Sequence, residues 1–376
     1  MTISINSNVA AMAAQRYLGM SNNRVSKEMG HLASGNRINS ARDDAAGLQL
    51  SNRLMTESNG LSVAARNASD GISLTQTAEG GMKETTDILQ RMRDLSLQSA
   101  NGVNTDDERT AIQDEVSALN DEINRIANTT QFAGKHLLNG TYGTKAFQVG
   151  ADGGSSINVH LESVRSDIPQ MGGDLVRGEL KADKNWTVSA RANELHISLG
   201  EGDDKESLTI HAKAGDDIQE LATYINGQSN KINASVDEHG QLQILKGNFE
   251  APGPMKITGS LADELELKPT RAMTVNDIDV STMGGAQLAV GLIDSASKYI
   301  DSQRADLGAL QNRFDHSISN LNKVNEDITA SKGRILDTDY AKTTSSMAAS
   351  QIRSQAGQAI LSQAKNLPQS ALKLLG

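Results

Sequence analysis

Histidine and acidic side chains are the residues of this sequence that could hold a metal ion. His196 and His211 fall in neighbouring segments that alternate like β-strands, so they could face each other across a strand pair. With no cysteine and no third ligand beside them, this arrangement argues against a zinc site. The acidic pairs at 203–204 and 216–217 lie beside glycine, where such pairs usually cap helices or line solvated turns. We therefore expect neither a metal nor a cofactor.

Nucleophile and phosphate-binding motifs are equally sparse. The sequence has no H-E-x-x-H, no G-x-x-x-x-G-K-[ST] and no G-x-S-x-G. Ser295 and Lys298 match an S-x-x-K spacing, but they lie in a predicted Ala- and Ser-rich helix without the other elements of that active site. We expect no catalytic residues and interpret the chain as a structural protein rather than an enzyme.

The elements that carry these residues are mostly helices. Only five prolines occur in 376 residues, and none falls in 1–168 or in 270–367. Aromatic residues make up 3%, with Trp186 the single tryptophan, so aliphatic and small side chains must fill the cores. Such residues suit close seams between helices. The composition predicts a mainly α protein whose two ends are long helices that pack together.

Negative charge is concentrated in the middle of the chain. The formal net charge is −10, and residues 170–285, with 19 acidic and 11 basic side chains, hold about −8 of it. The nearly neutral ends can pack against copies of themselves, whereas the acidic middle stays solvated. The lack of a basic stripe argues against nucleic-acid binding. Because no cleavable signal or membrane-length apolar run is visible, we expect a cytoplasmic protein or one exported without a cleaved signal.

Three long helical segments are predicted, and two of them show the spacing of coiled coils. The first runs over 43–101, and the second opens at Thr105, which can form a capping box with Glu108. In the second and third segments apolar residues recur every 3.5 residues, the repeat of helices that wind around each other. The pattern predicts a coiled-coil rod. The repeating positions are Ile112, Val116, Leu119, Ile123 and Ile126 in the second segment, and Leu307, Leu310, Phe314, Ile318, Leu321, Val324 and Ile328 in the third.

Two regions change to the alternating pattern of strands. Residues 145–150 and 156–161 flank a glycine pair at 153–154 and predict a β-hairpin. Four further strands and one short helix predict a small α+β domain inserted between the helical ends. The strands are expected at 194–199, 207–212, 231–236 and 241–245, and the helix at 216–226.

The terminal segments are amphipathic but weakly apolar. Residues 3–35 and 348–367 each carry one sparse apolar stripe, too thin to stabilise a helix in isolation. Pro368 is expected to end the second of these helices. The stripe residues are Ile5, Val9 and Met12 at one end, and Ile352, Ala356, Ile360 and Leu367 at the other.

Four stretches of the sequence are similar to bacterial flagellins. Residues 32–47 read L-A-S-G-N-R-I-N-S-A-R-D-D-A-A-G and match the family signature L-[SA]-S-G-x-[RK]-I-N-S-A-x-D-D-A-A-G. Residues 90–102, 304–325 and 367–370 resemble three further parts of the family. The resemblance covers roughly 1–165 and 285–376, in the style of polar flagellins of marine gammaproteobacteria. The insert also resembles a small β-α-β-β motif found in some flagellins and hook-associated proteins.

The resemblance implies a structural subunit that polymerises into the helical tube of the flagellar filament used for swimming. It implies terminal helices (1–42 and 340–376) in the inner core, a helical rod (43–168 and 286–339) and a surface-exposed insert (169–285). The stripes of the terminal helices would then find their apolar contacts in adjacent subunits. An alternative is a flagellin-like hook–filament junction protein, which shares the same ends.

The resemblance also implies partners and a route. The partners are copies of the chain, other flagellin paralogues, the filament cap, hook-associated proteins and an export chaperone that holds the C-terminal segment, roughly 341–376. Export would follow the flagellar type III channel, without a cleaved signal, to the extracellular filament. A host Toll-like receptor is a further implied partner, with its patch at Gln90, Arg91, Leu95 and Glu115, although these residues could instead make contacts between rods in the filament.

Overall fold

The computed structural model describes residues 7–183, 185–200, 206–249, 251 and 253–375. These residues are mainly helical, as predicted, with a smaller β-rich part between the two helical ends. None of the helices in this described part is long and apolar enough to cross a membrane. The helices are α1 (Val9–Ser34), α2 (Ala45–Ser99), α3 (Asp106–Thr129), α4 (Ile218–Gln228), α5 (Ser260–Glu264), α6 (Met283–Leu336) and α7 (Tyr340–Leu375).

The strands fall into four antiparallel groups. Two pairs, β1 with β2 and β3 with β4, are hairpins, and the other strands form one three-stranded and one four-stranded sheet. The strands are β1 (Gln131–Phe132), β2 (Lys135–His136), β3 (Gly143–Gln148), β4 (Ser156–Leu161), β5 (Gly172–Gly178), β6 (Glu194–Leu199), β7 (Glu206–His211), β8 (Ile232–Val236), β9 (Leu242–Gly247), β10 (Lys256–Thr258) and β11 (Leu267–Thr274).

The chain divides into two compact units. The first contains both chain ends and comprises residues 1–66, 149–155 and 318–376. The second comprises residues 67–148 and 156–317. Helices α2 and α6 each contribute residues to both units.

In the first unit α1 and α7 run antiparallel along a seam of small residues. The Ser21 hydroxyl donates to the Ser350 carbonyl oxygen at 2.8 Å, and the Ser354 hydroxyl donates to the Asn22 side chain at 2.7 Å. Gly357 lies against Leu18, where a Cβ would sit 3.6 Å from the leucine side chain. Only Ala14 and Ser21 of α1 are buried, so the two helices bury little apolar surface against each other.

Helix α7 continues beyond Pro368, which corrects the prediction that this proline ends it. A proline inside a helix has no N–H to donate to the carbonyl four residues before it, here that of Ala364. The Asn8 side-chain amide donates to that carbonyl oxygen at 2.8 Å instead. The side-chain oxygen of Asn8 also accepts from the Ala11 N–H and caps α1. The Asn8 side chain therefore caps the start of α1 and also donates to the α7 carbonyl that Pro368 leaves without a backbone donor.

The second unit contains a well-packed helical core. Phe314, fully buried on α6, makes an edge-on contact with Phe147, with ring centroids 5.8 Å apart. A Cβ on Gly71 would lie 2.6 Å from the Phe314 ring, so only glycine leaves room for it. The predicted capping box is present: the Thr105 hydroxyl accepts from the Glu108 N–H and the Glu108 carboxylate accepts from the Thr105 N–H.

The inserted part of the second unit contains the predicted strands and helix, with ends shifted by at most two residues. The sheet order is β11-β5-β9-β8 for one sheet and β10-β6-β7 for the other, and α4 packs on β8. Strands β5, β10 and β11 were not predicted. Strand β5 begins with two glycines, β10 begins two residues after Pro254, and β11 contains Pro269 next to a β-bulge. Glycine and proline are unfavourable in strands, so the sequence pattern of these three strands is weak.

Candidate assembly surfaces

The predicted packing residues on the terminal helices are solvent-exposed in the single chain. Val9 and Ile352 are 69% and 66% exposed, and Met12 and Ile360 are 57% and 58% exposed. Ala356 is also exposed. Ile5 lies outside the described residues, and of Leu367 only the helical backbone is described. The two helices therefore present apolar side chains that the described part of the chain does not cover.

Further exposed apolar residues extend this surface beyond the sequence prediction. Tyr17, Met20 and Tyr340 are all more than half exposed. Between α1 and α7 lies a groove of about 490 Å³. The residues that line it are Ala14, Tyr17, Met20, Ser21, Arg24, Arg353, Ala356, Gly357 and Ile360. Tyr17 and Met20 fall on the α1 face that carries Val9 and Met12, so extending the 3.6-residue period would have found them.

The signature segment at 32–47 is a tight connection between α1 and α2. Gly35 ends α1 in the left-handed conformation, at φ 70°. The Asp44 carboxylate caps α2 by accepting from the Gly47 N–H at 2.9 Å. A Cβ on Gly47 would lie 2.6 Å from the Asp44 carboxylate and 2.7 Å from the buried Ile38. The local geometry therefore favours glycine at positions 35 and 47 and an N-capping side chain at position 44.

Asp43 holds the centre of this connection. Its carboxylate accepts from the N–H groups of Asn39 and Ser40 and from the Ser40 hydroxyl, and lies 3.2 Å from the Lys27 ammonium. The hydrogen bonds from Lys27, Ser40 and Asn39 lower the pKa of Asp43 to about 2. The ionised carboxylate therefore fixes the turn that leads from α1 into α2.

Three of the four predicted receptor-patch residues are exposed on the second unit. Gln90, Arg91 and Glu115 are accessible, and the Arg91 guanidinium donates to Glu115 Oε1 at 2.6 and 3.0 Å, joining α2 to α3. Leu95 is only 2% exposed and packs beneath this surface. A partner could therefore touch the first three residues directly, whereas Leu95 is buried.

The residues considered for metal chemistry do not form a site in the described part of the chain. His196 and His211 both face Glu194, at 3.9 and 3.5 Å from its carboxylate oxygens. No group of three or more His, Asp or Glu suited to a metal ion is found among the residues described. Asp217 caps α4, and the pair at 203–204 lies outside the described residues.

The S-x-x-K pair is not arranged as a nucleophile and base. Lys298 Nζ donates to the Asn230 carbonyl oxygen at 3.5 Å. The Ser295 hydroxyl is buried. The lysine therefore tethers α6 to the chain segment after α4.

Three family models match the chain. The model described as the bacterial flagellin N-terminal helical region matches residues 5–143, and the C-terminal helical region matches residues 290–375. The flagellin hook IN motif matches residues 194–244, which overlap the stretch at 208–245 that resembles a small β-α-β-β motif. Flagellin D of Vibrio cholerae is 56% identical over 377 residues, with all of both chains covered. The chain belongs to the bacterial flagellin family.

Other relatives agree over the full length. Polar flagellin B/D of Vibrio parahaemolyticus is 57% identical and Flagellin D of Vibrio anguillarum is 55% identical, each with all of both chains covered. This flagellin is thus a structural subunit of the bacterial flagellar filament, and the junction-protein alternative is not favoured. Family membership also confirms that it is a structural protein and not an enzyme. It implies assembly with copies of the chain and with related flagellins.

Proposed function

We propose that the exposed apolar surface of α1 and α7 drives polymerisation by packing against the same helices of neighbouring subunits. The exposure of Val9, Met12, Ile352 and Ile360 carries this proposal. Fully burying an exposed side chain of this kind contributes roughly 1.5–3 kcal/mol, so covering the exposed parts of many such residues along both helices favours a polymer. In this proposal 1–42 and 340–376 form the inner core of the filament.

The remaining domains follow the same proposal. Residues 43–168 and 286–339 form a helical rod outside the core. The insert at 169–285 faces solvent, a role that suits its charge of about −8. An acidic outer surface keeps neighbouring filaments apart.

Paired substitutions test the assembly surface. Ile352→Ser together with Ile360→Ser places two hydroxyls where apolar neighbours are expected, and we expect the fraction of pelleted filament to fall at least about tenfold. Tyr224→Ser, at an exposed residue of α4 in the insert, is the matched control and should polymerise normally. Equal polymerisation of both variants would contradict the proposal.

We further propose that the subunit leaves the cell unfolded through the flagellar type III channel, without a cleaved signal, and is added under the filament cap. Before export a chaperone would hold residues 341–376. The exposed apolar side chains Ile352 and Ile360 on this segment support that role, because free in the cytoplasm they would promote early association. The test is co-purification from an export-deficient strain, in which loss of residues 341–376 should abolish the chaperone complex.

A host Toll-like receptor remains a proposed partner of the patch at Gln90, Arg91 and Glu115, with Leu95 buried. Arg91 offers a planar cation, but the free chain pairs it with Glu115. Arg91→Ala should lower receptor signalling by the monomer at least about tenfold. Because exposed ion pairs contribute about 0–1 kcal/mol, it should leave thermal unfolding almost unchanged. Unaltered signalling would remove the assignment.

A further inference from the structure

Four methionines of the first unit expose their thioether side chains. Met12, Met20 and Met29 on α1 and Met55 on α2 are between 46% and 57% exposed. In the second unit, by contrast, Met82, Met92 and Met171 have no exposed surface. The sequence contains no cysteine, so these thioethers are the exposed sulfur groups of the described chain.

Two of the four lie on the proposed assembly face. Met20 follows Met12 by eight positions, about 80° around a helix with 3.6 residues per turn, which places both on the same side. Val9 and Tyr17, also exposed, lie on this side. Met20 lines the groove between α1 and α7 together with Ile360.

We propose that Met12 and Met20 are oxidation sites of the free flagellin subunit, and that their conversion to sulfoxide by a peroxide or a hypohalous acid blocks polymerisation. The inference rests on the assembly surface proposed above. In the reaction the thioether sulfur donates an electron pair to the terminal oxygen of the oxidant and a sulfur–oxygen bond forms. With hydrogen peroxide the oxygen–oxygen bond breaks and water leaves; with hypochlorous acid, chloride and a proton leave.

The consequence for assembly follows from polarity. A sulfoxide oxygen accepts hydrogen bonds from water and is costly to bury without a donor. Of the residues that line the groove with Met20, Ala14, Ala356 and Ile360 have no side-chain donor, whereas Tyr17, Ser21, Arg24 and Arg353 do. The cost of burying a sulfoxide is therefore expected to be larger at Met12, which lies outside the groove and three positions after the exposed Val9. Once a subunit is in the filament, the neighbouring helices cover the thioethers and shield them from the oxidant.

Peroxide treatment of the purified full-length subunit tests this inference. Peptide mass spectrometry should find Met12 and Met20 oxidised at least about tenfold faster than the buried Met82 and Met92. The treated subunit should then lose most of its seeded polymerisation, measured by sedimentation, and treatment with methionine sulfoxide reductases should restore it. Preformed filaments should oxidise far more slowly at both positions.

Leucine variants identify the residues responsible. Met12→Leu with Met20→Leu keeps the apolar volume and removes the sulfur, so this variant should polymerise and should keep doing so after peroxide. Met55→Leu is the matched control and should remain as sensitive as the wild type. Normal polymerisation of a subunit fully oxidised at Met12 and Met20, or equal sensitivity of the double variant, overturns the inference. If the untreated subunit forms no filaments, the proposed assembly surface fails and this inference fails with it.

Discussion

The terminal helix pair and the helical core of the second unit contain the same types of apolar side chain but bury them to different extents. Met82, Leu89 and Met92 of α2 have no exposed surface, whereas Val9 and Ile352 are about two-thirds exposed. Both regions are regular helices with an apolar stripe. An apolar stripe alone therefore does not make a core. The second unit packs its stripes against other residues of the same chain, whereas the terminal pair leaves part of its stripes uncovered among the described residues.

Phe314→Ala should give the largest loss of stability. The ring is fully buried against Gly71 and Phe147, so its removal leaves a cavity and should lower the free energy of unfolding by about 3–5 kcal/mol. Ile360→Ala, at an exposed residue of α7, should change it by no more than about 0.5 kcal/mol. Denaturant unfolding measures the free energy of unfolding of both variants. Similar decreases in both would show that the two regions do not differ in how they bury apolar side chains.

Substitutions at Asn8 should have a smaller effect confined to the terminal pair. Asn8→Ala removes the cap of α1 and the donor to the Ala364 carbonyl, and should destabilise the pair by about 1–2 kcal/mol. Asn8→Asp keeps the cap but loses the donor, so it should cost less. The helical content of the subunit, measured by circular dichroism during heating, reports the difference. If Asn8→Asp and Asn8→Ala lose helical content at the same temperature, the hydrogen bond from Asn8 to the Ala364 carbonyl contributes nothing to stability.

The smallest effect should appear as acid sensitivity at the turn between α1 and α2. The pKa of Asp43 is lowered from 3.8 to about 2, so its ionised form stabilises the folded turn. That contribution is present above pH 3.8 and is lost as the pH falls towards 2. Asp43→Asn should flatten the dependence of thermal unfolding on pH in this range. A variant with an unchanged pH profile would show that the carboxylate does not hold the turn.

The sequence predicted those features that follow from local chemistry. Thr105 and Glu108 predict the start of a helix because their side chains accept hydrogen bonds from free N–H groups of the first turn. The spacing of the apolar residues from Leu307 to Ile328 predicts the buried face of α6. The flagellin resemblance of 32–47 was confirmed by the family models and by full-length relatives.

Features that depend on distant partners were not predictable. Pro368 suggested a helix end because nothing local supplies the missing donor, and Asn8 lies far away in sequence. Strand β11 was missed because its proline is tolerated only at the bulge opposite β5. The burial of Leu95, by contrast, follows from helical spacing, because it lies three positions after the fully buried Met92. Its place in an exposed patch came from the family resemblance alone.

Hydrogen exchange of α1 and α7, compared between the dilute subunit and the assembled filament, tests whether neighbouring subunits stabilise the terminal helices. We expect the amides of both helices to exchange rapidly in the lone subunit and at least about a hundredfold more slowly in the filament, while those around Met82 and Met92 are protected in both states. If the terminal helices are already as protected in the dilute subunit as the core of the second unit, neighbouring subunits do not stabilise them.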